Sequence, residues 1–349
     1  MKALASSSVD LVVTSPPYPM IEMWDAVFAA QDPDIQDILA SGNGPEAFER
    51  MHAVLDPVWS EVFRVLVDGG IACINVGDAT RTVADNFSLY PNHARITTRL
   101  LELGFSALPV ILWRKPTNAP NKFMGSGMMP PGAYVTLEHE YVLVVRKGGK
   151  REFPSPEDKA RRRASTFFWE ERNQWFSDVW FDLQGTPQSL VSRDSRERSG
   201  AFPFELAYRL INMFSIRGDT VLDPFLGTGT TTFAAMASGR NSASFERDAG
   251  LMAHIENGAA ETVDLAQARV QARLDAHVEF VKERHQSRGH FGYRNEHYGF
   301  PVVTKQETEL LFTPPESVTR VGPFAYEVKH ADKPAFDQIA DWDWFFADS

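Results

Sequence analysis

The segment Thr220-Val221-Leu222-Asp223-Pro224-Phe225-Leu226-Gly227-Thr228-Gly229-Thr230 constrains the fold more than any other stretch of this chain. Its apolar, β-branched start predicts a strand, which must stop at Asp223-Pro224 because proline has no N–H for a ladder. Two glycines then allow a sharp turn, and Thr230 to about Ser238 reads as a helix. Strand, glycine loop and helix in that order form one half of a crossover unit that needs a parallel neighbour. Ser242 to Phe245 supplies that neighbour and ends at Glu246.

The rest of the chain repeats the alternation. Val9 to Thr14 reads as a strand stopped by Ser15-Pro16-Pro17-Tyr18, and residues 46–66 carry apolar positions at helical spacing. Gly69-Gly70 is expected to end that helix before the buried strand Ile71–Val76. A helix over 92–103, strands at about 105–113 and 140–146, and a helix from Phe202 to about Ser215 follow. Strands alternating with helices predict an α/β fold with a mostly parallel sheet. With 349 residues the chain exceeds the roughly 250–300 at which one core stops growing, so an insertion or a second domain is expected. Residues 147–200 fit an insertion: they are basic, proline-bearing and aperiodic, with aromatic residues crowded between Phe167 and Phe181. Residues 260–286 read as a long charged surface helix and 300–330 as short strands. The tail Asp341-Trp342-Asp343-Trp344-Phe345-Phe346 is acidic and aromatic.

Several classes of function fall away. Cys73 is the single cysteine, lies in an apolar run, and can form neither an internal disulfide nor a cysteine-rich zinc site. The nine histidines show no ligand spacing, so no metal is expected. No apolar run is long enough to cross a membrane and no signal peptide opens the chain, so a cytoplasmic protein with no membrane partner is expected. The net charge of −11 would disfavour nucleic acid if it were uniform. It is not: residues 110–200 hold 15 Lys and Arg against 11 Asp and Glu. Such an island can attract phosphate, because acidic surface elsewhere is screened beyond roughly 8 Å at physiological salt.

Two loops carry chemistry. The glycine loop lacks the third glycine of the dinucleotide fingerprint and the lysine of a P-loop, which leaves a nucleoside ligand that needs no pyrophosphate cradle. Glu246 stands where a carboxylate accepts the two hydroxyls of a ribose. In Ser15-Pro16-Pro17-Tyr18 the prolines stiffen the chain and offer carbonyls without competing N–H groups. The Ser15 hydroxyl and the Pro16 carbonyl can therefore accept hydrogen bonds from an amino group, and Tyr18 offers a flat face to a planar ring.

Thr14-Ser15-Pro16-Pro17-Tyr18 near the start and Asp223-Pro224-Phe225-Leu226-Gly227-Thr228-Gly229-Thr230-Thr231 two hundred residues later together resemble the permuted β group of DNA amino-methyltransferases. The resemblance covers roughly residues 9–250. It includes Gly69-Gly70, Glu138-His139-Glu140-Tyr141, Ser177-Asp178-Val179-Trp180 and Gly200-Ala201-Phe202-Pro203. It implies a circularly permuted, Rossmann-like S-adenosylmethionine-dependent methyltransferase fold. The catalytic half would span 1–146, a target-recognition region 147–200, the cofactor half 201–260 and a C-terminal extension 261–349.

By the same resemblance Ser15, Pro16, Pro17 and Tyr18 are catalytic. Asp223, Pro224, Phe225, Gly227, Gly229, Thr230, Glu246, Phe202 and Pro203 hold S-adenosylmethionine, and Arg161, Arg162 and Arg163 meet the phosphates of duplex DNA. The absence of a Pro-Cys nucleophile argues against methylation of a ring carbon. Serine at the first loop position favours cytosine N4 as the acceptor, with adenine N6 as the alternative. An inactive DNA-binding or specificity protein on the same fold is the reading from a different class. A cognate restriction endonuclease is a possible partner. The family also carries an acid-ended strand some twenty residues before the catalytic loop. Here fourteen residues precede Ser15, so that strand would lie upstream of the given start or within 300–330.

Overall fold

A computed structural model describes residues 1–115, 124–183, 202–288 and 291–332. Gly200, Ala201 and the tail Asp341–Ser349 lie outside these residues. The chain forms two compact units: Met1–Lys150 with Asp178–Pro203, and Arg151–Ser177 with Phe204–Ser349. The segment 147–200 is thus divided between them.

In the first unit, Val9–Thr14 runs parallel to Leu66–Val76, with Val13 beside Cys73 and Thr14 beside Ile74. Leu66–Val76 pairs antiparallel with His139–Lys147. Ile111–Arg114 lies on the far side of that strand and carries Val179–Trp180 parallel to it. His139–Lys147 is therefore the one strand running against its neighbours in an otherwise parallel sheet. The central strands are apolar on both faces because both are covered, as parallel sheets require. Val12, Cys73, Ile74 and Val142 are fully buried.

Two local expectations are corrected. Gly69-Gly70 does not end the helix, which spans Gly44–Val65. The strand starts at Leu66, and the pairing slips between Val9–Leu66 and Leu11–Ile71. Gly69, at φ 82°, absorbs the resulting bulge. The expected strand over 105–113 is two strands, Phe105–Ala107 and Ile111–Arg114. They are separated around Pro109, which has no N–H to give the ladder.

In the second unit, Thr220–Asp223 runs parallel to Asn241–Ser244, with Asp223 beside Ser244. Helices Phe204–Phe214 and Thr230–Ala237 flank these strands in sequence. The expected surface helix is longer, Met252–Arg288, and buries one face. Its Val270, Leu274 and Val281 join Phe168, Phe291, Tyr298, Phe300 and Phe312 in a single core cluster. Charge inside that core is paired: Arg273 donates through two nitrogens to Glu171, at 2.5 and 2.6 Å. The supposedly aperiodic segment contributes two helices here, Pro156–Ala164 and Trp169–Trp175. Tyr293–Arg294 pairs with Pro301–Val302, and Pro315–Gly322 with Ala325–His330. Among the described residues these strands pair only with one another, so 300–330 does not supply the acid-ended strand. No helix among the described residues is long and apolar enough to cross a membrane.

Candidate active site

The first unit ends its leading strand at the buried Thr14 and delivers Ser15 to the sheet's C-terminal edge, where open α/β sheets place ligands. Ser15 Oγ lies 2.9 Å from the Tyr18 hydroxyl. Tyr18 in turn donates to Glu140 Oε2 at 3.1 Å and accepts from Asn75 Nδ2 at 2.9 Å. Asn75 also donates to Glu140 Oε2 at 2.6 Å, and Lys115 Nζ donates to Glu140 Oε1 at 2.7 Å. Burial, followed by the charge of Glu140, pushes the Tyr18 pKa well above its ordinary value, so the phenol keeps its proton.

These contacts fix the direction of every hydrogen. Tyr18 has one proton and gives it to Glu140, so its oxygen can only accept from Ser15. The Ser15 hydrogen therefore points at Tyr18 and both lone pairs of Oγ remain available. The Pro16 carbonyl accepts no hydrogen bond from the described residues. Both oxygens, on consecutive residues of the loop, keep acceptor capacity that no described residue uses. Asn92 holds the loop in place by donating to the carbonyls of Pro19 (3.1 Å) and Gly77 (3.0 Å). The Tyr18 ring packs on Gly77, where an added Cβ would lie 3.1 Å from Cε2.

The sequence reading singled out Ser15, Pro16 and Tyr18 but assigned no role to Asn75, Lys115 or Glu140. Asn75 had a visible signal: it is a polar residue inside the apolar run Ile71–Val76, and a buried amide must find partners.

The second unit builds its loop around Glu246. Its Oε2 accepts from the Gly227 N–H at 2.7 Å, and its Oε1 accepts from the Arg247 and Asp248 N–H groups at 2.7 Å each. The buried Asp223 accepts from the Phe225 N–H at 3.0 Å, and the Leu226 N–H donates to the Phe245 carbonyl at 2.9 Å. Gly227 stands at φ 56° and Gly229 at φ 95°. The two glycines differ in what surrounds them. A Cβ on Gly229 would lie 2.6 Å from the Phe233 ring, whereas one on Gly227 would meet only the Phe225 carbonyl, at 3.9 Å. Open space thus lies beside Gly227, whereas Gly229 is closed off by Phe233. Oε2 of Glu246 retains an acceptor direction for a hydroxyl. An open glycine cradle beside a fixed carboxylate fits a nucleoside. Pro224 and Thr230 bracket this loop, and Phe202 and Pro203 are buried just before helix Phe204–Phe214.

Arg161, Arg162 and Arg163 are exposed on helix Pro156–Ala164, which Ser155 caps by accepting from the Asp158 N–H. Arg161 pairs with Asp158, Arg163 pairs with Glu309 at 2.7 Å, and the Arg162 guanidinium lies 4.7 Å from the centre of the Phe153 ring. Two of the three thus spend charge on carboxylates of their own unit.

Comparison with known proteins supplies the context for both loops. Residues 9–257 match the N6/N4 methyltransferase family, described as DNA methylase. The chain is 49% identical over 322 residues to the Type II methyltransferase M.MthZI of Methanothermobacter thermautotrophicus, covering 92% of this chain and 89% of that protein. It is 48% identical over 292 residues to the Type II methyltransferase M.MjaI of Methanocaldococcus jannaschii, covering 80% and 93%. Among solved structures, the putative DNA modification methylase TTHA0409 of Thermus thermophilus, complexed with S-adenosyl-L-methionine, superposes with a TM-score of 0.57 at 33% identity, covering 75% of this chain and 89% of that one. The cofactor is therefore S-adenosylmethionine, the fold is the Rossmann-like methyltransferase fold, and the chain belongs to the N6/N4 family of DNA amino-methyltransferases.

Proposed function

We propose that this protein methylates the exocyclic N4 of cytosine in duplex DNA, after flipping the base, by direct transfer. The observation that carries this reading is the pair of unused acceptors, Ser15 Oγ and the Pro16 carbonyl, beside a tyrosine whose proton is committed elsewhere. An exocyclic amino nitrogen is a poor nucleophile because its lone pair is delocalised into the ring. Two N–H groups donated to Ser15 and Pro16 would draw that nitrogen toward sp³ geometry and localise its lone pair. Bound S-adenosylmethionine supplies an electrophilic methyl on a sulfonium. Gly227 and Glu246 bind and orient it, and Ser15 and Pro16 hold the acceptor amine. Extruding the base costs its stacking, which the half-buried Tyr18 ring would replace.

Cytosine is favoured over adenine because Ser15 is neutral and short. An anionic Asp would polarise an amino group more strongly, and the adenine enzymes of this group usually carry Asp or Asn there, whereas serine resembles the form most often found in the cytosine N4 enzymes. Arg161, Arg162 and Arg163 would contact the DNA backbone, with Arg162 carrying the charge that no carboxylate among the described residues claims. Digesting modified DNA to nucleosides and weighing them tests the assignment. N4-methylcytosine is expected; N6-methyladenine without it would overturn the base assignment and leave the methyltransferase reading standing.

A further inference from the structure

The second unit holds a pocket that methyl transfer does not use. It opens at the N-terminal end of strand Thr220–Asp223, while the glycine loop lies at the other end, about 13 Å away along the strand. Ser165, Thr166, Tyr208, Arg217, Arg240 and Arg273 line it, around a cavity of about 20 Å³. That is room for about one water, so a larger group would sit at the mouth, where Arg217 and Thr166 are more exposed than the buried Arg240 and Arg273.

Its charges do not balance. Arg273 is paired with Glu171, and Asp219, the acid nearest in sequence, is taken by a two-bond pair with Arg151 at 2.6 and 2.8 Å. Arg240 is 6% exposed, and its guanidinium reaches the carbonyls of Ser215 and Ser238, the Ser215 hydroxyl and the Asn212 amide, but no carboxylate. Arg217 makes no side-chain hydrogen bond or ion pair with any described residue, although it is mostly shielded from water. The Thr166 hydroxyl beside it makes no hydrogen bond with a described residue either. Burying unpaired guanidinium groups is costly unless an anion meets them. The carbonyls around Arg240 satisfy its donors without cancelling its charge.

We infer that the mouth of this pocket binds one phosphate group, held by the planar fork of Arg217 and the Thr166 hydroxyl, with the positive charge of Arg240 and Arg273 beneath it. Guanidinium geometry matches two oxygens of a tetrahedral phosphate. The phosphate could be a free inorganic ion or part of a DNA backbone, and two measurements separate them.

Thermal unfolding of the full chain is followed against sodium phosphate, with chloride matched in ionic strength. A free-ion site predicts a saturating rise of several degrees that Arg217→Gln abolishes, with duplex affinity unchanged in the variant. A backbone site predicts no such rise. Instead Arg217→Gln would weaken duplex binding and lower its salt slope by about one phosphate's worth. Among the described residues no side-chain hydrogen bond or ion pair depends on Arg217, so the variant is expected to fold, with a melting temperature at or above that of the parent. Two results would overturn the site: phosphate and chloride acting alike while duplex binding is unchanged by Arg217→Gln, or a phosphate response that persists in the variant.

Discussion

The Tyr18 hydroxyl donates to Glu140 Oε2 at 3.1 Å and so makes Ser15 its donor at 2.9 Å, turning the serine's lone pairs into its only unused hydrogen-bonding capacity. A carboxylate on strand His139–Lys147 thereby sets the hydroxyl orientation of a residue on the loop after Val9–Thr14. Lys115 holds that carboxylate from its other oxygen at 2.7 Å.

This relay predicts a coupling. Ser15→Ala should keep S-adenosylmethionine binding and lose on the order of 10²–10³ in kcat, the usual loss for one transition-state hydrogen bond. Tyr18→Phe should cost roughly tenfold, the worth of one ordinary hydrogen bond, by freeing the Ser15 hydroxyl to rotate. Combined with Ser15→Ala, the tyrosine change should cost little more, because the hydroxyl it orients is gone. Rates of the two single variants and the double decide this. Equal loss from Tyr18→Phe in both backgrounds would remove tyrosine from the orienting role.

The two loops were legible in the sequence because each depends on residues with few conformational alternatives. Pro16-Pro17 and Gly227–Gly229 announce a loop wherever they occur after a strand, and Glu246 followed from the strand that ends there. What stayed hidden depends on partners distant in sequence. Glu140 meets Tyr18 across 122 positions and Arg273 meets Glu171 across 102, and neither pairing has a local signature. Gly69-Gly70 was misread for the same reason: glycine pairs punctuate helices and strand bulges alike, and only the neighbouring strand decides. Helix Pro156–Ala164 escaped because it buries no residue and so carries no apolar period, and helix Trp169–Trp175 because its buried Glu171 finds its partner only in the distant Arg273.

The glycines of the cofactor loop should separate under substitution. Gly229→Val places a branched side chain at φ 95° and against Phe233, so S-adenosylmethionine binding should be lost together with stability. Gly227→Ala has room in the free protein and pays only the left-handed backbone cost, roughly 1–2 kcal/mol. Its methyl nonetheless enters the cradle, so affinity by calorimetry should fall about tenfold, about 1.4 kcal/mol. Unchanged affinity in Gly227→Ala would place the ligand elsewhere on the loop.

The buried pair of the second unit should be asymmetric. Glu171→Ala leaves Arg273 charged and almost fully enclosed, at a cost of about 3–5 kcal/mol. Replacing both, as Glu171→Gln with Arg273→Met, should recover most of that loss, since Met can fill the space among Trp175, Tyr208 and Phe312. Denaturant unfolding of the single and double variants measures it. A double variant no better than Glu171→Ala would mean that packing, not charge, sets the cost.

The last prediction concerns pH. His52 is completely buried in the first unit, and its Nε2 lies 3.0 Å from Asn92 Oδ1. Burial, assisted by the positive charge of Arg95, lowers its pKa to about 4. A neutral ring donates from Nε2 to Asn92, which holds the carbonyls of Pro19 and Gly77 and so the loop carrying Tyr18. The unfolded chain takes up a proton near 6.5, which the folded chain refuses until about 4. Between those values the unfolded state binds more protons, so stability is full above 6.5 and falls as pH drops toward 4, by up to roughly 3 kcal/mol. His52→Gln can still donate to Asn92 but does not titrate. Its unfolding free energy should therefore be flatter across this window than that of the parent, and equal slopes for the two proteins would assign the acid sensitivity to other groups.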